Sequence, residues 1–281
     1  MSRSARILLA TLLMLFCLSA VGAEATLTIR VDGELRRHTV SELLALPAVR
    51  AITVDQDVAY PGEPRRYRAV PVRTLLKGMD VEPGYVLQAR ADDGFTAALP
   101  LEPLLGAGPD KAEAWLAIEA PDNPWPKLPG KARSAGPFYL VWLRPQAGAI
   151  RSEQWPYQLA ELVALPAPLN RWPVLDVAAE LPDDDPAWRG RDLFLTQCLV
   201  CHRLNGGGEA TMGPDLNLPM NPTEYLSDAG LRALIRDPAE VRDWPGRQMT
   251  GFGPDQLSDA EIGDIVAYLR HMTARRPAAA R

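Results

Sequence analysis

The amino-acid sequence predicts a multidomain protein, with an N-terminal α+β strand-rich domain at residues 26–165 followed by an all-α domain at residues 186–273. The first region alternates apolar and polar residues around Asp-Gly turns, as half-buried strands do. The second repeats apolar residues at the 3.6-residue spacing of helices. Between them, residues 166–185 are rich in proline and acidic residues, which is typical of a semi-rigid linker. Residues 274–281 are expected to form a flexible tail.

The N-terminal region contains two predicted β-hairpins. Asp32-Gly33 is the turn in TLTIRVDGELRRHTV, and Asp93-Gly94 is the turn in YVLQARADDGFTAALP. The apolar segments AWLAIEA and FYLVWL are further predicted strands. Two short helices are predicted in SELLAL, with Ser41 as its cap, and in VPVRTLLKGM.

The C-terminal region contains helix signals. Ser258 and Glu261 form an S-x-x-E capping box, which predicts the start of the last helix. A shorter amphipathic helix is predicted at residues 226–235. Gly190 and Gly263 are small enough to let neighbouring helices approach closely. The apolar face of the last helix is predicted to consist of Ile262, Ile265, Val266 and Leu269.

Residues 1–25 have the pattern of a secretory signal peptide. Arg3 and Arg6 precede an apolar run at residues 7–20, which small residues close, so cleavage is expected after Ala23 or Ala25. The run is shorter than the roughly 20 residues that a spanning helix needs, so a retained membrane anchor is the second interpretation. The predicted location of the mature protein is the periplasm.

Composition excludes one class of partner. The formal net charge is −5, so the chain lacks the basic footprint of a nucleic-acid-binding protein. A membrane is expected as a partner only if the signal segment is retained. Of the three cysteines, Cys17 lies in the signal segment, and the mature chain keeps Cys198 and Cys201.

These two cysteines form a Cys-x-x-Cys-His motif with His202. A disulfide between them would close a very short loop and constrain little of the unfolded chain. Zinc needs four ligands, and outside the motif only His38 and His271 remain as histidines. A thioredoxin-type redox pair requires a strand-helix-strand context, whereas this motif lies between helical segments. The motif therefore favours covalent attachment of a c-type haem.

The spacing suits that chemistry. Two thiols three residues apart on a helical turn can add to the two vinyl groups on one side of the porphyrin, and the next residue can turn its imidazole towards the iron. A methionine thioether as the second axial ligand raises the reduction potential. The candidates that follow the motif are Met212, Met220 and Met249, with Met272 inside the last helix.

Residues 186–273 resemble a class I bacterial cytochrome c. The segments that carry the resemblance, in order, are GRDLFLTQCLVCH, MGPDL, LRALIRDPAEVRDWPGRQMTGFG and LSDAEIGDIVAYLRHM. The resemblance implies one covalently attached haem c on Cys198 and Cys201, with His202 and Met249 as the iron ligands. It also implies that the Pro214 carbonyl accepts a hydrogen bond from His202 Nδ1. The chain has Met249-Thr250 where the family often has Met-Pro.

The N-terminal region resembles the molybdopterin-binding domain of sulfite-oxidase-like proteins, through YRAVPVRTLL, DDGFTAALPLEPLL and AWLAIEAPDNPWPKLPGKARSAGPFYLVWLRP. Catalytic members of that family hold molybdenum through a cysteine early in the domain, and residues 26–165 contain no cysteine. We therefore expect the fold without its metal chemistry, and no molybdopterin. The charged residues of the corresponding segment are expected to lie in a solvated loop. They are Asp55, Asp57, Arg65, Arg66 and Arg68.

The sequence thus predicts a periplasmic mono-haem cytochrome that carries single electrons between unidentified redox protein partners. The N-terminal domain would dock a partner or position the haem. We expect a carrier rather than an enzyme, and no catalytic residue is predicted. Two alternatives stay open: an oxidoreductase whose N-terminal domain holds a molybdopterin-type cofactor and passes electrons to the haem, and a haem-based gas sensor that exchanges Met249 for its ligand.

Overall fold

The protein was analysed as a computed structural model that describes residues 24–278. The predicted signal peptide lies outside the described residues up to position 23. Within residues 24–278, no helix combines the length and the apolar character that crossing a membrane requires.

The N-terminal region consists of two β-sheets. One has five strands in the order β2-β1-β9-β5-β6, and the other has four in the order β3-β4-β7-β8. All neighbours pair antiparallel except β1 and β9, which pair in parallel. The strands are β1 (Thr26–Val31), β2 (Glu34–Thr39), β3 (Arg50–Val54), β4 (Arg65–Pro71), β5 (Tyr85–Ala91), β6 (Thr96–Pro100), β7 (Glu113–Ile118), β8 (Phe138–Leu143) and β9 (Leu159–Pro166).

Both predicted hairpins are present. Asp32 and Gly33 have φ values of 46° and 77°, and two successive positive φ angles are what a two-residue type I′ turn requires. Gly94 also has a positive φ, of 94°, in the turn between β5 and β6. The predicted apolar strands are β7 and β8, which pair antiparallel along their whole length. The parallel pairing of β1 with β9 could not be predicted from local patterns, because those strands lie far apart in the chain.

Three short helices accompany the sheets: α1 (Val40–Leu44), α2 (Val72–Leu75) and α3 (Leu101–Leu105). The predicted cap of α1 is wrong by two residues. Thr39, not Ser41, precedes the helix, because Glu42 lies three positions after it and completes a capping box with it. Ser41 lies in the first turn of α1 and donates its hydroxyl hydrogen to Glu24.

The C-terminal region is helical, as predicted. Asp185 caps α5 by accepting a hydrogen bond from the Ala187 N–H, with Pro186 at the first helical position. Ser258 and Glu261 form the predicted capping box of α9. The helix predicted at residues 226–235 is α7, and it starts at Asp228 because Ser227 caps it. The helices are α4 (Pro168–Arg171), α5 (Pro186–Gln197), α6 (Pro222–Tyr225), α7 (Asp228–Arg236), α8 (Pro238–Val241) and α9 (Asp259–Thr273).

Helices α5 and α9 pack against each other at Gly190. A Cβ atom at Gly190 would lie 1.9 Å from the Asp264 carbonyl oxygen, so only glycine permits this approach. The same expectation for Gly263 is wrong: a Cβ there would meet only the guanidinium of Arg232, at 2.9 Å. The contact at Gly190 matters for the site because α5 leads directly into Cys198.

Residues 166–185, predicted as a linker, connect the two regions and also pack against the helical one. Leu175 is completely buried in the C-terminal core, and its carbonyl accepts a hydrogen bond of 2.6 Å from the Tyr268 hydroxyl. His271 Nε2 accepts a hydrogen bond of 3.0 Å from the Ala178 N–H. His271 therefore holds the connecting segment against α9.

The first residues of the predicted tail are anchored as well. Arg275 Nε donates to the Asp176 carbonyl at 3.2 Å, and Arg276 Nε donates to the Asn217 carbonyl at 2.8 Å. The first bond ties the end of α9 to the connecting segment, and the second ties it to the loop that follows the Cys-x-x-Cys-His motif.

Candidate haem-attachment site

The Cys-x-x-Cys-His motif forms a helical turn at the end of α5. Cys198 is the C-cap of the helix. Its carbonyl accepts hydrogen bonds from the N–H groups of Cys201 at 3.1 Å and His202 at 2.9 Å. The turn therefore holds the two thiols and the imidazole in one short rigid unit, as the sequence predicted.

The two thiols are free rather than joined in a disulfide. Burial raises the pKa of Cys198 and of Cys201 to about 12, and the nearby Glu153 carboxylate acts in the same direction. A redox-active cysteine instead needs a lowered pKa. The electrostatics therefore argue against the thioredoxin-type interpretation. Within residues 24–278, no group of three or more His, Cys, Asp or Glu side chains has the arrangement of a metal site.

The His202 ring is oriented by the loop that follows it. Its Nδ1 lies 2.9 Å from the Pro214 carbonyl oxygen, which confirms the predicted hydrogen bond. Because a carbonyl only accepts, Nδ1 carries the proton and Nε2 keeps a lone pair. Burial lowers the pKa of His202, although the bond to Pro214 acts against this. The result is a neutral imidazole with a free nitrogen, the form that binds a metal.

Gly213 provides the space for this ring. A Cβ atom there would lie 2.5 Å from His202 Cε1 and 2.6 Å from Nδ1, closer than real contacts allow. The Gly213 N–H also donates to the Cys201 carbonyl at 2.8 Å. The loop thus lies flat against the imidazole. The donor set, two thiols and an oriented neutral histidine, fits the covalent attachment of a haem.

Three polar side chains that no sequence pattern singled out shape this loop. The Asp215 carboxylate accepts hydrogen bonds from the backbone N–H groups of Asn205 at 3.1 Å and Gly206 at 2.7 Å. The buried amide of Asn217 donates to the Met272 carbonyl at 2.7 Å, and that of Asn221 to the Leu269 carbonyl at 2.9 Å. They satisfy carbonyls at the end of α9. The only local signal was the series of short polar residues after Pro214.

The three candidate methionines occupy different environments. The Met220 side chain is 50% exposed. Met212 Sδ lies 3.7 Å from Cys201 Sγ, beside an attachment cysteine. Met249 is half-buried in the irregular segment between α8 and α9. Its carbonyl accepts a hydrogen bond of 2.5 Å from Arg247, and the segment is bonded to α7 three residues later, at Phe252.

The N-terminal region covers the attachment turn. The Thr96 N–H donates to the Val200 carbonyl at 2.9 Å, and Val200 is 2% exposed and packs in the N-terminal core. The Gln197 side chain donates to the Ser152 hydroxyl at 3.1 Å and accepts from the Glu153 N–H at 3.3 Å. The segment that carries both cysteines is therefore fixed to the other domain at Gln197 and at Val200.

Ion pairs strengthen this interface. Glu209, seven residues after the motif histidine, accepts hydrogen bonds from Arg90 of β5 at 3.0 Å and from Arg171 of α4 at 2.5 Å. Arg90 also pairs with Glu161 of β9 at 2.5 Å. No local pattern could predict these bonds, since 119 positions separate Arg90 from Glu209.

Glu153 is an acidic group at this interface. Burial raises its pKa to about 7, and the positive charge of Lys131 offsets the effect in part. Glu153 lies beside the attachment turn, because its N–H donates to the Gln197 side chain, one position before Cys198, at 3.3 Å.

The charged segment of the N-terminal region is not uniformly solvated. Asp55, Arg66 and Arg68 are exposed, as expected, but the expected loop is wrong for the arginines, which lie on strand β4 because that segment pairs with β3. Asp57 is only 5% exposed, which corrects the prediction for this residue, and Arg65 is half-buried. The Asp57 carboxylate is stable in the core because it accepts four hydrogen bonds. The donors are the hydroxyls of Tyr67 and Tyr139 and the N–H groups of Ala59 and Tyr60.

Comparison with known proteins agrees with this geometry. The family model described as cytochrome c matches residues 187–273. A cytochrome c of Theileria annulata is 28% identical over 111 residues, which cover 34% of this chain and 92% of that protein. A cytochrome c of Ulva intestinalis is 25% identical over 112 residues, which cover 34% of this chain and 97% of that protein.

The family model covers the helical region alone. The class I bacterial assignment and the resemblance of the N-terminal region to molybdopterin-binding domains stay predictions. The family implies covalently bound haem c and supports a haem electron carrier. Residues 187–273 of this chain therefore form a cytochrome c domain, which follows a strand-rich region of two sheets.

Proposed function

We propose that this protein is a periplasmic mono-haem cytochrome that carries single electrons between redox protein partners. Cys198 and Cys201 would attach the haem, and His202 and Met249 would hold its iron. The observation that carries the proposal is the His202 ring, which the Pro214 carbonyl orients directly after the two cysteines. When bound, haem c supplies reversible one-electron chemistry at its iron.

The chain's own residues prepare this centre. The Pro214 carbonyl fixes the plane of the His202 ring and makes Nε2 more basic, as acceptors behind metal-bound histidines do. Burial keeps the ring neutral and available as a ligand. The Met249 thioether favours the ferrous state and raises the reduction potential. Held by His202 and Met249 together, the iron would keep no open position for a substrate, which would favour a carrier rather than an enzyme.

The strand-rich domain, in this proposal, positions the haem-attachment turn. Support comes from Val200, which packs in the N-terminal core, and from Glu209, which bonds Arg90 and Arg171 across the interface. A turn held on both sides keeps the sulfur positions constant between oxidation states. The geometry that electron transfer needs is thereby maintained.

The attachment is tested by measuring haem content after expression with a c-type maturation system. We expect one covalently bound haem per unmodified chain, and none after acid extraction of the double variant Cys198→Ser, Cys201→Ser. Covalent haem in that variant would refute the proposed attachment. A mature N-terminus at residue 24 or 26 in the periplasmic fraction would support the proposed location.

The distal ligand is tested by optical spectroscopy. Met249→Ala should abolish the weak far-red band of a methionine–ferric iron bond, lower the reduction potential and let the ferrous protein bind carbon monoxide. Met212→Ala and Met220→Ala are matched controls and should keep the band. Loss of the band in either control, with retention in Met249→Ala, would contradict the assignment. Carbon monoxide binding by the unmodified protein would favour the gas-sensor alternative.

A further inference from the structure

A cavity of about 360 Å³ lies in the N-terminal domain, outside the cytochrome c domain. It is formed by the start of β4, the segment before it and the loop at residues 123–126. Its volume is within the range of small-molecule sites. Besides three prolines, the lining residues are Tyr60, Arg65, Arg66, Tyr67, Asn123 and Trp125.

Arg65 provides an unsatisfied cationic group in this cavity. Its guanidinium lies over the Tyr60 ring, 5.1 Å from the ring centre. Its Nε is buried and, within residues 24–278, has no hydrogen-bond partner. A buried donor on a charged group is costly to leave unpaired. A bound acceptor would remove that cost.

The two carboxylates near this cavity, those of Asp57 and Glu119, already accept hydrogen bonds from other groups. The charges that act on Tyr60 include those of Asp57 and Glu119. Asp57 is bonded by tyrosine hydroxyls and backbone N–H groups. Glu119 accepts hydrogen bonds from the Trp125 N–H at 2.5 Å and from the Ser134 hydroxyl at 2.8 Å. These carboxylates bond to other donors, so the Arg65 Nε–H stays available to an incoming acceptor.

The walls of the cavity combine aromatic rings with the polar side chains of Arg65, Arg66 and Asn123. The Tyr67 hydroxyl donates to Asp57 at 2.6 Å, and the Tyr60 hydroxyl donates to the Pro126 carbonyl at 2.8 Å. The rings of Tyr67 and Trp125 meet edge to face, with centres 4.9 Å apart. A ligand in the cavity would therefore contact aromatic ring surface, with the Arg65 guanidinium at one side.

We propose that this cavity binds a small aromatic carboxylate. The carboxylate pairs with the Arg65 guanidinium, whose planar fork matches two carboxylate oxygens. The ring of the ligand packs against Tyr60, Tyr67 and Trp125. Arg66 adds positive charge at the rim. None of these residues belongs to the cytochrome c domain, so this binding is independent of haem attachment.

Titration calorimetry on the full-length, haem-loaded protein tests the proposal with benzoate, benzyl alcohol and inorganic phosphate. We expect saturable binding of benzoate. Benzyl alcohol, which keeps the ring without the charge, should bind at least about tenfold more weakly, because a charged hydrogen-bonded pair is lost. Phosphate lacks the ring and should also bind more weakly. Absence of saturable benzoate binding, or equal affinity for all three probes, would overturn the proposal.

Matched variants locate the site. Arg65→Gln should weaken benzoate binding about tenfold or more, since it removes the charged donor. Arg68→Gln is the control, because Arg68 is an exposed arginine of the same strand outside the cavity. An equal effect of the two variants would contradict the assignment. If Arg65→Gln does not fold, the indole N–H signal of Trp125 in the unmodified protein decides: a shift on benzoate addition supports the site, and an unchanged signal refutes it.

Discussion

The contact between α5 and α9 at Gly190 determines where the attachment cysteines lie, and the substitution Gly190→Ala probes it. The added Cβ would lie 1.9 Å from the Asp264 carbonyl oxygen and 2.8 Å from Tyr268 Cβ. Real Cβ contacts are essentially never below 3.0 Å, so the two helices must separate by about 1 Å. The obstacle is backbone, which cannot rotate away as a flexible side chain does.

The expected cost can be worked out from this geometry. Overpacking of a well-packed contact costs about 1–3 kcal/mol, and a clash with backbone belongs at the upper end of that range. Alanine has a higher helix propensity than glycine, which stabilises the helix by about 1 kcal/mol and offsets part of this cost. We therefore expect Gly190→Ala to lower the free energy of unfolding of the cytochrome c domain by about 2 kcal/mol.

Gly263→Ala is the matched control, since it makes the same chemical change on α9. Its Cβ would meet only the end of the Arg232 side chain, which can move, so we expect a gain of about 0.5–1 kcal/mol. Urea unfolding of the haem-loaded protein, followed by the Soret band and by far-ultraviolet circular dichroism, measures both variants. Equal stability of the two variants would refute the packing argument.

Two further predictions concern the domain interface. Burial raises the pKa of Glu153 from 4.5 to about 7, so its stabilising contribution is complete below pH 4.5 and is lost as the pH rises through 7. Because Glu153 is half-buried, we expect the free energy of unfolding to fall by about 1–2 kcal/mol over this pH range. Urea unfolding at a series of pH values should detect this loss in the unmodified protein and not in Glu153→Gln. Glu209→Gln removes the negative charge that Arg90 and Arg171 share and one of the two acceptor oxygens. It should destabilise the interface by about 1–3 kcal/mol and shift the haem reduction potential. The control is Asp228→Asn, since Asp228 forms an exposed ion pair with Arg270. It should lower the free energy of unfolding by less than about 1 kcal/mol and leave the reduction potential unchanged. Equal effects of Glu209→Gln and Asp228→Asn would exclude a positioning role for the interface.

The sequence by itself determined the local elements of this protein. Hairpin turns at Asp32-Gly33 and Asp93-Gly94, the capping box at Ser258 and the helical turn at Cys198 are encoded by residues a few positions apart. Local backbone geometry and hydrogen bonds settle such features, so their residue patterns can be recognised directly. The bond from His202 to Pro214 was also predictable, because the family resemblance implied it.

The tertiary structure alone decided how these elements meet. Nothing local shows that Asp57 is buried, because its stability depends on hydroxyls that reach it from Tyr67 and from Tyr139, 82 positions away. Nothing local shows that Glu209 bonds Arg90, or that Val200 belongs to the N-terminal core. Long-range contacts depend on which surfaces fit together after the elements have formed, and that fit is a property of the whole chain rather than of any short segment.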